Sequence, residues 1–225
     1  EPITGNWGFI DLYNNELPEN LNSASNDHLA LITDGLLPKR FPCCGSIHRT
    51  LDGILDLLRE HAISADQIEK IETSVPELNF NNLKYSEPTT VSEARFSMNY
   101  CVAVLVNTGE LSLSDFTHSA VNNRREIRDY MAKIVMKKYE LGKGDDLIHH
   151  LQIHLRDGNI IKKSVYQVKG SNKNPFSDEN RKIKFYDCVK EYLSDNDRAD
   201  LYSILTELLS YSDIKNITKY FVKQA

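Results

Sequence analysis

The chain has few cysteines and no long apolar run. Four cysteines in 225 residues, at positions 43, 44, 101 and 188, are too few for the disulfide framework of a secreted domain. We therefore expect a reducing compartment: the cytoplasm, or the mitochondrial matrix if the source is eukaryotic. Because no run of about 18 apolar residues occurs, we expect no membrane-spanning helix. The first residues lack the basic segment and apolar stretch of a signal peptide.

An excess of positive charge is also missing. The chain has 32 acidic and 27 basic residues, which gives a net charge of −5. This balance argues against a nucleic-acid partner and against binding to an anionic membrane surface, although it leaves room for a local basic pocket. Apolar residues make up 40% and charged residues 26%, as in ordinary globular proteins. We therefore expect a folded protein with a core of its own.

The pattern of apolar residues predicts an α+β fold. A helical spacing begins at Leu51, directly after the Pro- and Gly-containing loop that ends at His48. A strand is predicted around Ile71–Val75, and a hairpin around Asp157-Gly158. A capping box at Thr90–Glu93 predicts a helix from about 92 to 107, which Gly109 ends. A further helical stretch is predicted over about 114–133.

These elements divide the chain into three parts. Residues 1–37 are polar and rich in loop-forming residues, residues 38–170 mix helices and strands, and residues 171–225 are predicted to be helical throughout. The last part carries an amphipathic stripe, which requires a partner surface. We expect this stripe to pack on something outside residues 38–170. Its members are Leu201, Ile204, Leu205 and Leu208.

Four segments, in order along the chain, resemble a known family. Residues 39–53 read KRFPCCGSIHRTLDG, which is similar to the signature K-x-[FY]-P-C…H…D of the MmgE/PrpD family. This family includes 2-methylcitrate dehydratase, cis-aconitate decarboxylase and iminodisuccinate epimerase. The other three segments are IEKIE at 68–72, EARFSMNYCVA at 93–103, and LRDG at 155–158 followed by Gly170, NP at 174–175 and KF at 184–185.

The resemblance covers only the C-terminal half of that family. It implies that residues 1–37 end a helical domain, that 38–170 form an α+β lid domain, and that 171–225 are helices belonging with the helical domain. In the family, the helical half contributes several active-site residues, and nothing here matches it. The implied partners are therefore that N-terminal half of the same protein, a second copy in a homodimer, and a small di- or tricarboxylate substrate.

His48 is the main candidate for a catalytic residue. It is predicted to lie at the first turn of a helix, where the helix dipole disfavours the imidazolium form. A neutral imidazole can act as a base or as a hydrogen-bond donor, and the same helix end can hold a carboxylate. A lone histidine is more often structural, but the resemblance implies a role in the site. We also expect His48 to be partly exposed toward a cleft.

Three further residues are candidates for substrate binding. Lys39 lies in the same loop and is a plausible carboxylate anchor, with a solvated surface lysine as the alternative. Arg95 and Tyr100 lie near the start of the predicted helix at 92–107, and their spacing allows at most one of them to face the cleft. The alternative for Tyr100 is core packing with its hydroxyl group paired.

We expect neither a covalent thiol nor a metal or organic cofactor. Cys43 and Cys44 lie close to His48, but the family uses no thiol nucleophile, and small buried residues are the alternative interpretation. His150 and His154 share one face of a predicted strand, roughly 13 Å apart at ~3.3 Å per residue, which is too far for one ion. These two histidines, with His149 beside them, fit a polar outer face better.

Two hypotheses about function remain open at this point. The first is the C-terminal part of a cofactor-independent lyase that acts on a small polycarboxylate, as 2-methylcitrate dehydratase or cis-aconitate decarboxylase does. The second is a non-catalytic remnant or a stand-alone module of the same fold that binds a partner. The sequence does not distinguish dehydration, decarboxylation and epimerisation, because small changes in a pocket separate them.

The first prediction concerns this chain by itself. We expect it to turn over neither 2-methylcitrate, nor cis-aconitate, nor iminodisuccinate, because the helical half is expected to supply the partner acid or base. The measurement is a steady-state assay of the purified 225-residue chain against each compound. Saturable turnover of any of them would show that residues of this chain suffice for catalysis.

Overall fold

The computed structural model describes residues 5, 8–9, 35–142, 146–210 and 213–221. The chain separates into two compact units, Glu1–Leu36 and Leu37–Ala225. Most of the first unit lies outside the described residues, so the expectation that residues 1–37 end a helical domain remains a prediction. The second unit carries the sheet and the helices described below.

A four-stranded mixed sheet organises the second unit. Its strands are β1 (Ile68–Pro76), β2 (Ile134–Tyr139), β3 (His149–Leu155) and β4 (Ile160–Val165), in the order β2-β1-β3-β4. β1 pairs with β2 in parallel, whereas β1–β3 and β3–β4 are antiparallel. The last pair is the predicted hairpin, in which Gly158 turns the chain at φ 88°. With the helices around it, this sheet confirms the predicted α+β fold.

The described helices pack around the sheet and, after it, follow one another along the chain as far as Thr218. Short 3₁₀ turns lie at Gly45–Ile47, Ala65–Gln67, Leu113–Phe116 and Leu208–Ser210. The α-helices are α1 (His48–Glu60), α2 (Glu77–Asn82), α3 (Val91–Arg95), α4 (Met98–Thr108), α5 (His118–Asn123), α6 (Arg125–Met131), α7 (Asp178–Val189), α8 (Asp195–Thr206) and α9 (Lys215–Thr218). None of the helices in the described ranges is both long and apolar enough to cross a bilayer.

The prediction of one continuous helix over 92–107 is wrong, because the structure breaks this segment into α3 and α4. The capping box is confirmed, with the Thr90 hydroxyl accepting from the Glu93 amide. A second cap follows at once, since Ser97 Oγ accepts from the Tyr100 amide at 3.1 Å and starts α4 anew. α4 is buried on every side, as its apolar sequence indicated, and ends at Gly109 with φ 79°.

The helical stretch predicted over 114–133 is also interrupted, and β2 was not predicted. A 3₁₀ turn, α5 and α6 replace the single helix, with Thr117 capping α5. The start of β2, the strand that follows, is held by a side chain that is distant in the sequence. Asn99 on α4 donates from Nδ2 to the carbonyl oxygens of Met131 and Ile134, at 3.1 and 2.8 Å. These bonds hold the end of α6 and the start of β2 together.

Helix α1 lies against the sheet through its apolar face. Leu51, Ile54 and Leu57 are buried there, and the helical spacing predicted the first two of them. Gly53 lies so close to the sheet that an added Cβ would be 2.4 Å from Leu151 Cδ1 and 2.6 Å from Val165 Cγ2. The absence of a side chain at this position therefore sets the distance between the helix and the hairpin.

A polar contact also joins α1 to the sheet. The Thr50 hydroxyl on α1 lies 3.0 Å from the Thr73 hydroxyl on β1 and 2.9 Å from His149 Nδ1 on β3. All three side chains are buried. Burial, and then the positive charges of Arg49 and His150, lower the pKa of His149 to about 3, so the imidazole is neutral at physiological pH.

The C-terminal helices form a small cluster of their own. Leu201 and Ile204 of α8 are buried with Ile217 of α9, separately from the core around the sheet. Leu205 and Leu208, the other two members of the predicted stripe, are 39% and 46% exposed. The stripe is thus only half covered within the described residues, and its packing on another surface remains a prediction.

Replacement of Gly53 by alanine tests the contact between α1 and the hairpin. Alanine favours a helix by about 1 kcal/mol over glycine, but the methyl group must displace two methyls, and overpacking costs about 1–3 kcal/mol. Val165 is β-branched and stiff, so we expect Gly53→Ala to lower the free energy of unfolding by roughly 1–2 kcal/mol. Gly45→Ala is the control, because no atom lies within 4 Å of its added Cβ. Chemical unfolding of both variants measures the difference, and equal stability would contradict the close contact.

The buried His149 gives a prediction about pH. Between its usual pKa of 6.5 and about 3, the unfolded chain binds a proton that the folded chain does not. Stability is therefore lost as pH falls through this window, with a slope of up to about 1.4 kcal/mol per pH unit from this group. His149→Gln should reduce that slope, and replacement of His118, an exposed histidine, by glutamine is the control. Urea unfolding from pH 7 to pH 4 measures it, and identical slopes for the parent and His149→Gln would refute the assignment.

Candidate functional site

A cavity of about 350 Å³ lies where the loop before α1 meets α2. It contains His48 and Lys39, two residues that the sequence analysis had assigned to one site. Its wall combines apolar side chains with amide, hydroxyl and basic groups. The lining residues are Leu37, Pro38, Lys39, Gly45, Ser46, His48, Arg49, Leu78, Asn79, Asn82, Leu147 and Val168.

His48 is the first residue of α1 and lies deeper than expected. Only 2% of its surface is exposed, so the expectation of partial exposure is wrong. The ring of Phe41 meets the imidazole edge-on, with centroids 5.4 Å apart and planes at 84°. Its Nε2 atom is buried and has no hydrogen-bond partner among the residues described. His48 nevertheless lines the cavity.

Asp52 fixes the loop that carries these residues. Its Oδ1 atom accepts from Arg40 Nη1 at 2.5 Å, and its Oδ2 atom accepts from the Lys169 amide at 3.0 Å. Arg40 in turn lies over the Phe41 ring, 5.0 Å from its centroid. Asp52 is itself buried, so the ion pair is shielded from bulk water. The acidic residue of the motif thus holds loop, helix and a distant segment together.

The charges on the cavity wall are all positive. Lys39 is exposed at its rim, and Arg49 donates from Nε to the carbonyl oxygen of Tyr166 at 3.2 Å. Burial lowers the pKa of Arg49, and the negative charge of Asp146 opposes this shift. The guanidinium group keeps its positive charge at neutral pH. No carboxylate occurs among the described residues that line the cavity. The wall is therefore suited to an anion.

Two asparagines of α2 complete the wall. Asn82 donates from Nδ2 to Ser46 Oγ at 3.1 Å, which joins α2 to the turn before α1. Asn79 is 5% exposed, and its Oδ1 atom, like His48 Nε2, finds no hydrogen-bond partner in the described ranges. Arg49, Asn79 and Asn82 were not among the residues predicted from the sequence. Arg49 could have been predicted, because it follows His48 directly in the motif. The sequence of α2 has no pattern that distinguishes Asn79.

The structure places Arg95 and Tyr100 outside this cavity. Arg95 is an exposed residue of α3 whose guanidinium lies 5.8 Å from the centroid of the Phe116 ring. Tyr100 is 1% exposed, and its hydroxyl donates to the carbonyl oxygen of Asp115 at 2.5 Å. Burial raises the pKa of Tyr100 to about 12. Their assignment to substrate binding remains a prediction, and the packing described here matches the alternative stated for Tyr100.

The two cysteines of the motif differ in environment. Cys43 is buried and Cys44 is partly exposed, and neither lines the cavity. The side chain of Cys101 and then His48 lower the pKa of Cys43 to about 6, although burial opposes this shift. An acidic thiol is a better nucleophile at neutral pH, but one that lies outside the cavity has no substrate to attack. The geometry therefore favours the interpretation as a small buried residue.

The three histidines of β3 do not form a metal site. His149 faces the core, whereas His150 and His154 lie on the other face of the strand. His150 Nδ1 lies 2.9 Å from Ser164 Oγ, and His154 Nε2 lies 3.7 Å from Glu72 Oε2. In the part of the chain that the structure describes, no group of three histidine, cysteine or acidic residues is placed to hold a metal ion.

Comparison with known proteins places the chain in a family. The family model "MmgE/PrpD C-terminal domain" matches residues 41–207, which include the motif from Phe41 onward, the sheet and the whole of helix α8. The chain belongs to the MmgE/PrpD family. The resemblance carried by the four short segments is thereby confirmed, and the match to a C-terminal domain model agrees with the half of the family that they indicated.

A curated member of the MmgE/PrpD family supports the same grouping. Cis-aconitate decarboxylase of Mus musculus is 24% identical to this chain over 221 residues. The match covers 94% of this chain but 44% of that protein. The chain thus spans less than half the length of this relative. Together, the two matches support a lyase-like family for this chain.

Proposed function

We propose that this chain is the C-terminal part of a lyase that acts on a small polycarboxylate without a metal or organic cofactor. The dehydration of a 2-methylcitrate-like acid and the decarboxylation of a cis-aconitate-like acid are the two candidate reactions. One observation carries the proposal: the cavity beside His48 has basic side chains and no carboxylate among its described lining residues. Family membership is consistent with it.

Each group of the cavity has a role in this proposal. Lys39 and Arg49 hold carboxylates of the substrate, helped by the amides of Gly45 and Ser46 at the start of the 3₁₀ turn. His48 Nε2 removes, delivers or polarises a proton next to one of those carboxylates. The edge of the Phe41 ring and the burial of His48 hold the imidazole in one position. Such fixed geometry is what a positioned acid or base requires.

The proposal includes partners for the surface of the C-terminal helices. Leu205, Leu208 and Leu209 leave apolar surface exposed, and Leu209 is fully exposed. An apolar face of this kind indicates a contact surface. The N-terminal half of the same protein is the proposed occupant, because the relative is more than twice as long as the matched region. We also propose that the whole protein forms a homodimer and is located in the cytoplasm.

The same exposed helices favour a second candidate function. A module that binds a partner through α7–α9 needs an apolar surface, but it needs no free imidazole in a basic cavity. His48 Nε2 and the two cations would then have no ligand to bind. This difference lets one substitution decide between the two functions.

Replacement of His48 by glutamine in the full-length protein tests the proposed reaction. Glutamine keeps a hydrogen-bonding group but cannot transfer a proton, and general acid–base catalysis contributes about 10²–10⁴-fold. We expect kcat to fall by at least ~10²-fold while the fold stays intact. His61→Gln is the control, because His61 lies exposed just beyond the C-terminal end of α1.

The comparison of kcat with the thermal midpoint separates the two roles of His48. A structural histidine would lower the midpoint by many degrees and spare turnover. A near-parental kcat for His48→Gln would remove His48 from the catalytic assignment and would favour the partner-binding module.

A further inference from the structure

Strand β2 is an edge of the sheet, and part of its backbone has no partner. In the parallel ladder, the amide of Ile71 donates to the carbonyl oxygen of Lys133 at 2.9 Å, and Ile71 lies opposite Ile134. Backbone groups alternate in direction along a strand, so those of Met136 and Lys138 point away from β1. No described residue hydrogen-bonds to these outward groups. Two amides and two carbonyl oxygens are therefore free to pair with a further strand.

The first outward carbonyl group of β2 supports this direction. The carbonyl oxygen of Ile134 accepts from Asn99 Nδ2 at 2.8 Å, and Asn99 belongs to α4 rather than to β1. The outward edge is thus satisfied at its start and open from Met136 onward.

A groove follows this open edge. It has a volume of about 770 Å³, within the range of ligand-binding clefts. Ile134, Val135 and Met136 all line it, although consecutive side chains of a strand point to opposite faces. The groove therefore borders the edge of β2 rather than one face of the sheet. The other lining residues are Phe80, Asn81, Leu83, Lys84 and Ser86, on α2 and the loop after it, and Asn99.

Positive charge is in excess along the groove. Lys84 lines it and forms no ion pair with another residue in the described ranges. Lys137 lies 3.1 Å from Glu72 Oε1, but the same oxygen also accepts from Lys70. Lys70 and Lys137 together lower the pKa of Glu72 to about 2, so one carboxylate serves two lysines. No carboxylate occurs among the described residues that line the groove.

The lysines of β2 also determine which strand can pair with it. Lys137 and Lys138 are both exposed, and Lys138 has Glu77 as a partner at 2.5 Å. A second copy of the chain would bring the same two lysines to this edge again, and like charges opposite each other destabilise a strand pair. An acidic strand meets opposite charges there, and next to them Met136 and Ile134 offer apolar contacts.

We propose that the groove along β2 binds an extended acidic segment of another protein, which adds to the sheet as a further strand antiparallel to β2. Its acidic residues lie opposite Lys138 and Lys137, and its apolar residues follow opposite Met136 and Ile134. Main-chain hydrogen bonds supply the affinity in this mode of recognition, and the side chains supply the specificity. The inference goes beyond the proposed function, because the groove shares no lining residue with the cavity at His48.

A synthetic peptide of this pattern tests the proposal. The acetylated and amidated heptapeptide TEEVTVT places its glutamates opposite the two lysines of β2 and its valines opposite Met136 and Ile134. Titration of the ¹⁵N-labelled 225-residue chain, followed by amide chemical shifts, measures dissociation constants into the millimolar range. We expect saturable binding, with the largest shifts at the amides of Met136 and Lys138.

Two altered peptides separate the backbone contribution from the charge contribution. N-methylation of the fourth peptide residue removes the donor to the carbonyl oxygen of Met136, so binding should weaken at least ~3-fold, as expected for one net hydrogen bond. The peptide TKKVTVT reverses the charge and should also bind more weakly. On the protein, Lys84→Glu should weaken the binding of TEEVTVT by about 3-fold. Lys162→Glu is the control, because it makes the same change at an exposed position of the other edge strand, β4.

Several results would overturn the proposal. Absence of binding at millimolar TEEVTVT, equal binding of the N-methylated peptide, or shifts located away from β2 would exclude strand addition at this edge. Equal binding of TKKVTVT, or no effect of Lys84→Glu, would exclude an acidic partner. If the amide shifts of β2 change with the concentration of the chain alone, a second copy occupies the edge instead.

Discussion

The close contact between α1 and the β3–β4 hairpin is the constraint on which the rest of the structure depends. Gly53 allows it, because any side chain at that position would collide with Leu151 and Val165. With the helix held at this distance, Thr50 reaches Thr73 and His149, and the first turn of α1 comes to lie beside α2. The position of His48 is thus set by packing one and a half turns farther along the same helix.

Charged side chains are arranged differently on the two sides of the N-terminal end of α1. On one side, Asp52 neutralises Arg40 and accepts from the Lys169 amide, so the loop is fixed by a shielded ion pair. On the other side, Lys39 and Arg49 face a cavity whose described lining offers no counter-charge. The ion pair stabilises the loop, whereas the cations of the cavity meet no carboxylate among its described lining residues. Arg40 and Lys39 are neighbours in the sequence, yet only one of them is neutralised.

The sequence predicted local features well and distant ones poorly. Periodicity located α1, the capping box placed the start of α3, and Asp157-Gly158 located the hairpin, because each depends on neighbouring residues. Strand β2 was missed, since its partner β1 is distant in the chain and Asn99 fixes its start. Within the site, the motif indicated His48 and Lys39, but no local pattern distinguishes Asn79. Asn79 lines the cavity only because α2 is brought against the start of α1.

The parallel pairing of β1 with β2 has a consequence for how the chain folds. Ile71 pairs with Ile134, and all helices from α2 to α6 lie between the two strands. Closing so long a loop costs chain entropy before any pairing compensates it, and contacts of this kind slow folding. The hairpin and α1, which need only short loops, can form earlier. While the sheet is incomplete, the apolar sequence of α4 has no cover, and during that interval the chain is most exposed to aggregation.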